Sequence, residues 1–290
     1  MKKLNGKVAV ITGAASGIGR ALASRCAEEG MKTVLADVDE ERLGAAAAEL
    51  RSSGASVLAV PADVSKARDV ERVARRTLDE FGAVQLLVNN AGVGLVGPAI
   101  WEATLADWDW ILGVNLRGVV HGLRVFVPIM LEQGTPCHIV NTASAAGLFA
   151  PPGMGVYNTS KAGVVALSET LHRELALRKA AAKVSVLCSG FVKTEMLEAA
   201  RNRPAELQND PDLEAHRRAL YAARDREMRE AMRTAMSPED LAGEVIAAVR
   251  DERFYIFTHP WVRDAIRLRA ENIAQNRNPW EGLDYENSAI

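Results

Sequence analysis

The chain has 290 residues, 48% hydrophobic and 25% charged, with a formal net charge of −2. Charge this close to balance leaves no electrostatic footprint for nucleic acid or an anionic membrane, and no run approaches the ~18 uninterrupted apolar residues of a membrane span. The opening apolar run is broken by Gly13 too soon for a signal peptide. Cys26, Cys137 and Cys188 are few and widely spaced, so buried thiols in a reducing cytoplasm are expected rather than disulfides or a metal site.

In chain order, short apolar runs alternate with longer helical patterns, the mark of a βαβ array. A strand at 8–11 passes through Thr12 and Gly13 into a helix over 17–29, which Gly30 is suited to end. A second strand at 33–36 stops at Asp37, and an Ala-rich helix follows over 40–51. Strand 57–60, helix 65–81, strand 86–88, a helical stretch over 106–132 and strand 138–141 continue the rhythm. Then come helix 156–178 and strand 184–187. Strands of continuous apolar residues imply burial on both faces. Residues 195–236 break the pattern: rich in Arg, Glu and Ala, they read as charged surface helices. Ser237 and Pro238 open another helix as N-cap and first-turn residue, and 254–257 forms a last strand. The expected organisation is one α/β domain over 1–258 with a helical lid at 195–236. The extension 259–290 carries Trp261 and Trp280, and it either docks on the domain or contacts another copy.

The turn Thr12-Gly13-Ala14-Ala15-Ser16-Gly17-Ile18-Gly19 joins a buried strand to a helix. A dinucleotide pyrophosphate needs backbone amides aimed at it and no Cβ in the way; Gly13, Gly17 and Gly19 permit this beside Ser16 and Ile18, and the helix N-terminus adds partial positive charge. Asp37, 18 residues beyond Gly19, ends the second strand, where a carboxylate can accept from both ribose hydroxyls and repel a 2′-phosphate. Asp39 can serve as the helix N-cap instead of Asp37. Position 38 is Val38 rather than a cation, and the nearby Arg20 and Arg42 stand elsewhere, so this charge logic favours NAD over NADP.

Together with Asn89-Asn90-Ala91-Gly92, Asn115, Ser144, Tyr157 and Lys161, this turn resembles the short-chain dehydrogenase/reductase family over about residues 5–258. The resemblance implies a Rossmann-type, doubly wound parallel α/β sheet of about seven strands. It also implies hydride transfer between a nicotinamide cofactor and an alcohol or carbonyl compound. Removing a hydroxyl proton as hydride leaves needs a base at the substrate oxygen. A free tyrosine, with a pKa near ~10, is too weakly acidic for that at neutral pH. Lys161, one helical turn after Tyr157, has an ammonium that should favour the phenolate. Ser144 would steady the reacting oxygen. By resemblance, Lys161 also bonds the nicotinamide ribose, and Asn115 holds a helix bend and a water feeding protons to the lysine. Asn90, Ala91 and Gly92 line the cofactor cleft, and Asp63 and Val64 contact the adenine. Around Gly190, Val192 and Thr194, Ser189 replaces the proline usual in the family's motif, and Thr194 binds the carboxamide.

Val93, Gly94, Met154 and Phe191 are expected around the substrate, with the loops 93–100 and 145–155 and the chain after Thr194. Their apolar character points to a hydrophobic secondary alcohol or ketone. Asp107-Trp108-Asp109-Trp110 and residues 253–257 are similar to those of dehydrogenases of bulky aryl secondary alcohols. Helices 106–132 and 156–178 could pair copies into a homodimer or homotetramer. Open alternatives are an NADPH-dependent ketoreductase and a catalytically silent cofactor-binding protein.

Overall fold

The structure, a computed structural model, describes residues 1–279; Trp280 and the rest of the expected extension lie outside the described residues. Seven parallel strands form one sheet in the order β3-β2-β1-β4-β5-β6-β7. They are β1 (Val8–Thr12), β2 (Lys32–Asp37), β3 (Val57–Pro61), β4 (Leu86–Asn89), β5 (Cys137–Thr142), β6 (Ala182–Leu187) and β7 (Tyr255–Ile256). This is the Rossmann-type doubly wound sheet that the sequence implies. Along β1, Ala9 and Ile11 join one core layer and Val8 and Val10 the other, because successive side chains of a strand point to opposite faces. The first layer packs α1 (Gly17–Glu28), α2 (Glu40–Ser52) and α10 (Pro238–Asp251). The second packs α3 (Ala67–Phe81), α5 (Gly118–Gln133) and α7 (Gly155–Leu177). Ser237 caps α10 as expected, its side chain accepting from Asp240 N.

Three segments differ from the sequence expectation. The long helix expected over 106–132 is two helices, α4 (Leu105–Leu112) and α5, joined by a π-helical turn, Gly113–Arg117. At this turn the Asn115 side chain is tied to the backbone of Val93, so the helix accommodates a tertiary bond that local propensity does not announce. Residues 105–133 are long and apolar enough to cross a membrane, yet Trp110, Ile111, Phe126 and Met130 are buried in the core. The last strand is only Tyr255–Ile256, although Phe254 O still accepts from Val186 N of β6 at 2.7 Å, and Phe254 and Phe257 pack against the cluster around Val164 and Val186.

The third difference is the lid. Beyond β6 come 3₁₀ turns at Met196–Asn202 and Ala205–Leu207, then α8 (Pro211–Leu220) and α9 (Ala222–Arg233). Much of the charge is on the outside, as expected: Arg229 pairs with Asp225 and Glu198, and Arg233 with Glu230. Two arginines instead turn inward. Arg203 and Arg217 reach the fully buried Asp107 of α4 at 2.8 and 3.0 Å. Asn209 Nδ2 also donates to this carboxylate, which closes a capping box with Thr104. Burial pushes the Asp107 carboxyl up, but the bonds from Asn209, Thr104, Arg203 and Arg217 outweigh it and hold it below the ordinary range. The Arg203 guanidinium also lies 5.1 Å from the Trp110 ring. The periodicity of 195–236 reveals none of this, because the partner stands about a hundred residues earlier.

Helix α6 (Ala146–Phe149) follows β5, and α11 (Pro260–Ala274) ends the described chain. Val262 and Ala265 of α11 are buried with Ala145 and Phe149, so this part of the extension docks on the domain.

Two predictions follow from burial. Replacing Asp107 by Ala leaves the buried Arg203 guanidinium without a counter-charge and Arg217 with only the half-exposed Glu214, and should cost about 3–5 kcal/mol. Denaturant unfolding should show that loss, with faster protease nicking inside 195–236; wild-type behaviour in both would refute the clamp. His138, buried in β5, donates from Nε2 to Ser185 Oγ, because that hydroxyl spends its own proton on Arg253 O. Its Nδ1 has no partner, and burial pushes its pKa down to about 3. A depressed histidine contributes stability that is complete above the unfolded pKa near 6.5 and is lost as pH falls toward about 3. The acid-side loss should amount to roughly 3–5 kcal/mol. His138→Leu should flatten that slope in pH-dependent unfolding, and an unchanged slope would assign the acid sensitivity elsewhere.

Candidate functional site

The cleft opens at the C-terminal ends of β1, β4, β5 and β6, where the strand order reverses between β1 and β4. It encloses about 330 Å³ and runs from Asp37 to the underside of the lid. Its first wall is the turn after β1. Gly13 has φ +66°, and a Cβ there would stand 2.7 Å from Ala91 Cα. A Cβ on Gly19 would strike Gly13 O and Asn90 Nδ2. These two glycines allow the β1 turn and the β4 loop to touch. Asn90 fastens the contact by donating from Nδ2 to Thr12 O at 3.0 Å, while Thr12 Oγ1 accepts from the amides of Asn90 and Ala91. Asn89 Nδ2 donates to Asn141 Oδ1 at 2.8 Å, tying β4 to β5.

Of the turn, Gly13, Ser16 and Ile18 face the cleft; Gly17 flanks a shallower groove beside Thr194, and Gly19 is spent on packing. Asp39 is the N-cap of α2, accepting from Arg42 N, which leaves Asp37 for the cleft wall. The Asp37 carboxylate accepts from Ala15 N and Asp39 N at 2.9 and 3.0 Å, and burial raises its pKa against those bonds. Asp63 and Val64 line the same end. Asp63 Oδ1 accepts from the amide and hydroxyl of Ser65, and Val64 O accepts from His121.

Ser144, Tyr157 and Lys161 meet at the cleft floor, with Gly92 across from them. Lys161 Nζ donates to Thr142 O at 2.9 Å, and burial pushes its pKa down to about 8, so the ammonium persists at neutral pH. Tyr157 lies over the lysine, its ring centroid 5.6 Å from Nζ. The expectation that Lys161 depresses the tyrosine is corrected in the protein alone. Burial raises the Tyr157 pKa, with the Ser144 hydroxyl pulling against it. Desolvation of the phenolate dominates while the Lys161 ammonium is held on the carbonyl of Thr142. Asn115 does not reach the cleft. Its Oδ1 accepts from Val93 N at 2.8 Å, and its Nδ2 donates to Val93 O and Ser160 Oγ. It therefore fixes the bend and the loop after Gly92.

Val93, Met154, Gly190, Phe191, Val192 and Thr194 all line the cleft. Gly94 does not, contrary to expectation: it packs beneath Met196, and Val96 takes the exposed place in that loop. Other cleft residues were not singled out from the sequence. Met228 and Met232 come from α9, and their spacing of four with Arg224 is the signal that could have found them. Trp261, noted in the sequence only as part of the extension, also lines the cleft, and His259 stands beside it without a sequence signal. The Gly190 amide donates to His259 Nδ1 at 3.2 Å, and a Cβ on Gly190 would meet Trp261 at 2.9 Å. Burial lowers the His259 pKa, keeping the ring neutral and Nδ1 able to accept. This docked tail supports the loop where Ser189 stands in place of proline. Among the described residues no cluster of His, Cys, Asp or Glu could hold a metal.

The family profile described as short chain dehydrogenase matches residues 7–205. The chain is 35% identical to a CLA biosynthesis dehydrogenase/reductase of Lactiplantibacillus plantarum, over 96% of this chain and 97% of that protein. It is 39% identical to a 1-deoxy-11-beta-hydroxypentalenate dehydrogenase of Streptomyces exfoliatus, over 92% and 87% of the two chains. A solved short-chain dehydrogenase/reductase from Burkholderia phymatum, in complex with NAD, superposes with a TM-score of 0.92. It shares 47% identity, with 98% of this chain and all of that one covered. The chain belongs to the short-chain dehydrogenase/reductase family of NAD(P)-dependent oxidoreductases.

The cradle fits a dinucleotide: the turn cannot tolerate side chains at Gly13 and Gly19, and a carboxylate stands at the end of β2. Replacing Gly13 by Val should reduce nicotinamide dinucleotide affinity at least about tenfold, because the added side chain would meet Ala91. Fluorescence titration with NADH measures this, and undiminished affinity would show that the turn does not approach the dinucleotide.

Proposed function

We propose that the chain is an NAD-dependent dehydrogenase of a hydrophobic secondary alcohol, or the reductase of the matching ketone, with Tyr157 as general acid and base. The carrying observation is the meeting of Tyr157, Lys161 and Ser144 at the floor of an apolar cleft. The bound nicotinamide accepts or supplies the hydride. Ser144 donates a hydrogen bond to the reacting oxygen, and Tyr157 removes or returns its proton. Lys161, as an ammonium, stabilises the phenolate once substrate and cofactor complete the site, and it binds the nicotinamide ribose together with Tyr157. Asn115 keeps the lysine side of the cleft in register through Val93. Gly13, Ser16 and Ile18 take the pyrophosphate on a turn that Gly17 and Gly19 shape, Asp63 and Val64 take the adenine end, and Thr194 the carboxamide.

NAD over NADP is supported by Asp37 and by its surroundings. Arg20 is paired with Glu49, and Arg42 with Asp39 and Glu195, so neither cation nearby is free for a 2′-phosphate. The NAD complex of the Burkholderia protein points the same way. A second reading, an NADPH-dependent ketoreductase, draws on the groove where Arg20, Arg42 and Lys193 gather beside Ser16. Val120, exposed on α5, supports pairing of copies across that helix.

Turnover of a panel of secondary alcohols and ketones with NADH and NADPH tests the cofactor; a clear preference for NADPH would reverse the assignment. Tyr157→Phe should lower kcat by about 10²-fold or more while dinucleotide affinity stays close to wild type. Because oxidation needs the Tyr157 phenolate and reduction needs its proton, alcohol oxidation should accelerate and ketone reduction should slow as pH rises. Turnover retained by the phenylalanine variant would remove Tyr157 as the base.

A further inference from the structure

Three lid arginines are buried or half-buried, and two of them have carboxylate partners: Arg203 and Arg217 share Asp107. The third, Arg224, is half-buried, lines the cleft and forms no ion pair among the described residues. Its one hydrogen-bond partner is the carbonyl of Pro152, which uses part of a five-donor guanidinium and none of its charge. No acidic side chain of the cleft lies within ion-pair distance of Arg224: Asp39 and Glu195 pair with Arg42, Asp63 pairs with Lys66, Asp37 is engaged by backbone amides, and Asp109 forms no ion pair among the described residues.

The position of Arg224 separates it from the dinucleotide cradle. It stands beside Pro152 and Gly153, on the loop before α7. Met228 and Met232 follow it at intervals of four, so all three point from one face of α9 into the cleft. Met228 packs on the cluster of Ala146, Met154 and Tyr157. Arg224 therefore lies about 6 Å farther along the helix axis than a residue that covers the reacting tyrosine. Between the two, the wall is thioether and hydrocarbon.

We propose that Arg224 is a substrate-binding and specificity-determining residue that pairs with a carboxylate. The substrate is then an amphipathic acid, with its anionic end several bonds from the alcohol or ketone carbon and an apolar body against Met154, Met196 and Met228. A half-buried guanidinium beside a carboxylate gains a charge-assisted, two-pronged hydrogen bond that an ester cannot match. The inference rests on the oxidoreductase reading of the same cleft and adds the chemical class of its substrate.

The test uses the whole enzyme saturated with NADH, after NADH binding has been confirmed by its own fluorescence. Calorimetric titration with decanoate and with methyl decanoate compares an anionic chain with an uncharged one. Decanoate should bind at least about tenfold more tightly. Arg224→Gln should abolish that preference while leaving the affinities for the ester and for NADH within about twofold of wild type. Arg224→Lys should retain part of the preference, since charge without the fork remains. Equal binding of acid and ester by the wild-type enzyme overturns the proposal. So does failure of both to bind, or a preference that survives in Arg224→Gln. Failure of NADH to bind overturns the oxidoreductase reading and this inference with it; normal NADH binding without acid preference overturns the inference alone.

Discussion

The close approach of the β1 turn to the loop after β4 is the constraint on which the site depends. Two strands distant in sequence end side by side, and the chains leaving them diverge to opposite faces of the sheet. The crevice so formed stays narrow because Gly13 and Gly19 carry no Cβ and because Asn90 spans both ends. The hydroxyl of Thr12 adds the reciprocal bonds. The β1 turn, Asp37 and the loop after β4 are thereby placed by the ends of β-strands. A site held this way keeps its geometry without needing the ligand to organise it.

The catalytic floor is stiff for a different reason. Tyr157 and Lys161 share one face of the longest helix in the described chain, and the lysine is tied across to the end of β5. Asn115 supplies the opposite support through a π-helical turn, a departure from regular structure of the kind that tends to occur at working sites. The cost is two ionisable groups in a dry place, where burial moves each toward its neutral form. A substrate oxygen and a nicotinamide ring alter that balance directly, since they complete the surroundings of both groups.

Much of this was legible in the sequence because it is local. Strands β1, β3 and β4 are almost unbroken apolar runs, and the glycine turn, Asp37 and the Tyr157–Lys161 pair lie within short windows. What escaped depends on residues far apart in the chain. Nothing near Arg203 or Arg217 signals Asp107, nothing near Gly190 signals His259, and the π-helical turn answers to Val93 rather than to its own residues. Gly94 was misplaced because one residue along an extended loop reverses which side faces the cleft. The pKa of Tyr157 was misjudged because proximity on a helix says nothing about how much water remains.

The two kinds of ion pair in the lid will respond differently to the medium. Arg229 and Arg233 meet their carboxylates in open solvent, where added salt shields the attraction. The Asp107 cluster is closed to water and keeps its strength at ionic strengths that dissolve the outer pairs. High salt therefore frees the rim while the root holds. Salt in the medium thus loosens the outer face of 195–236 while the Asp107 cluster keeps the segment fastened to α4.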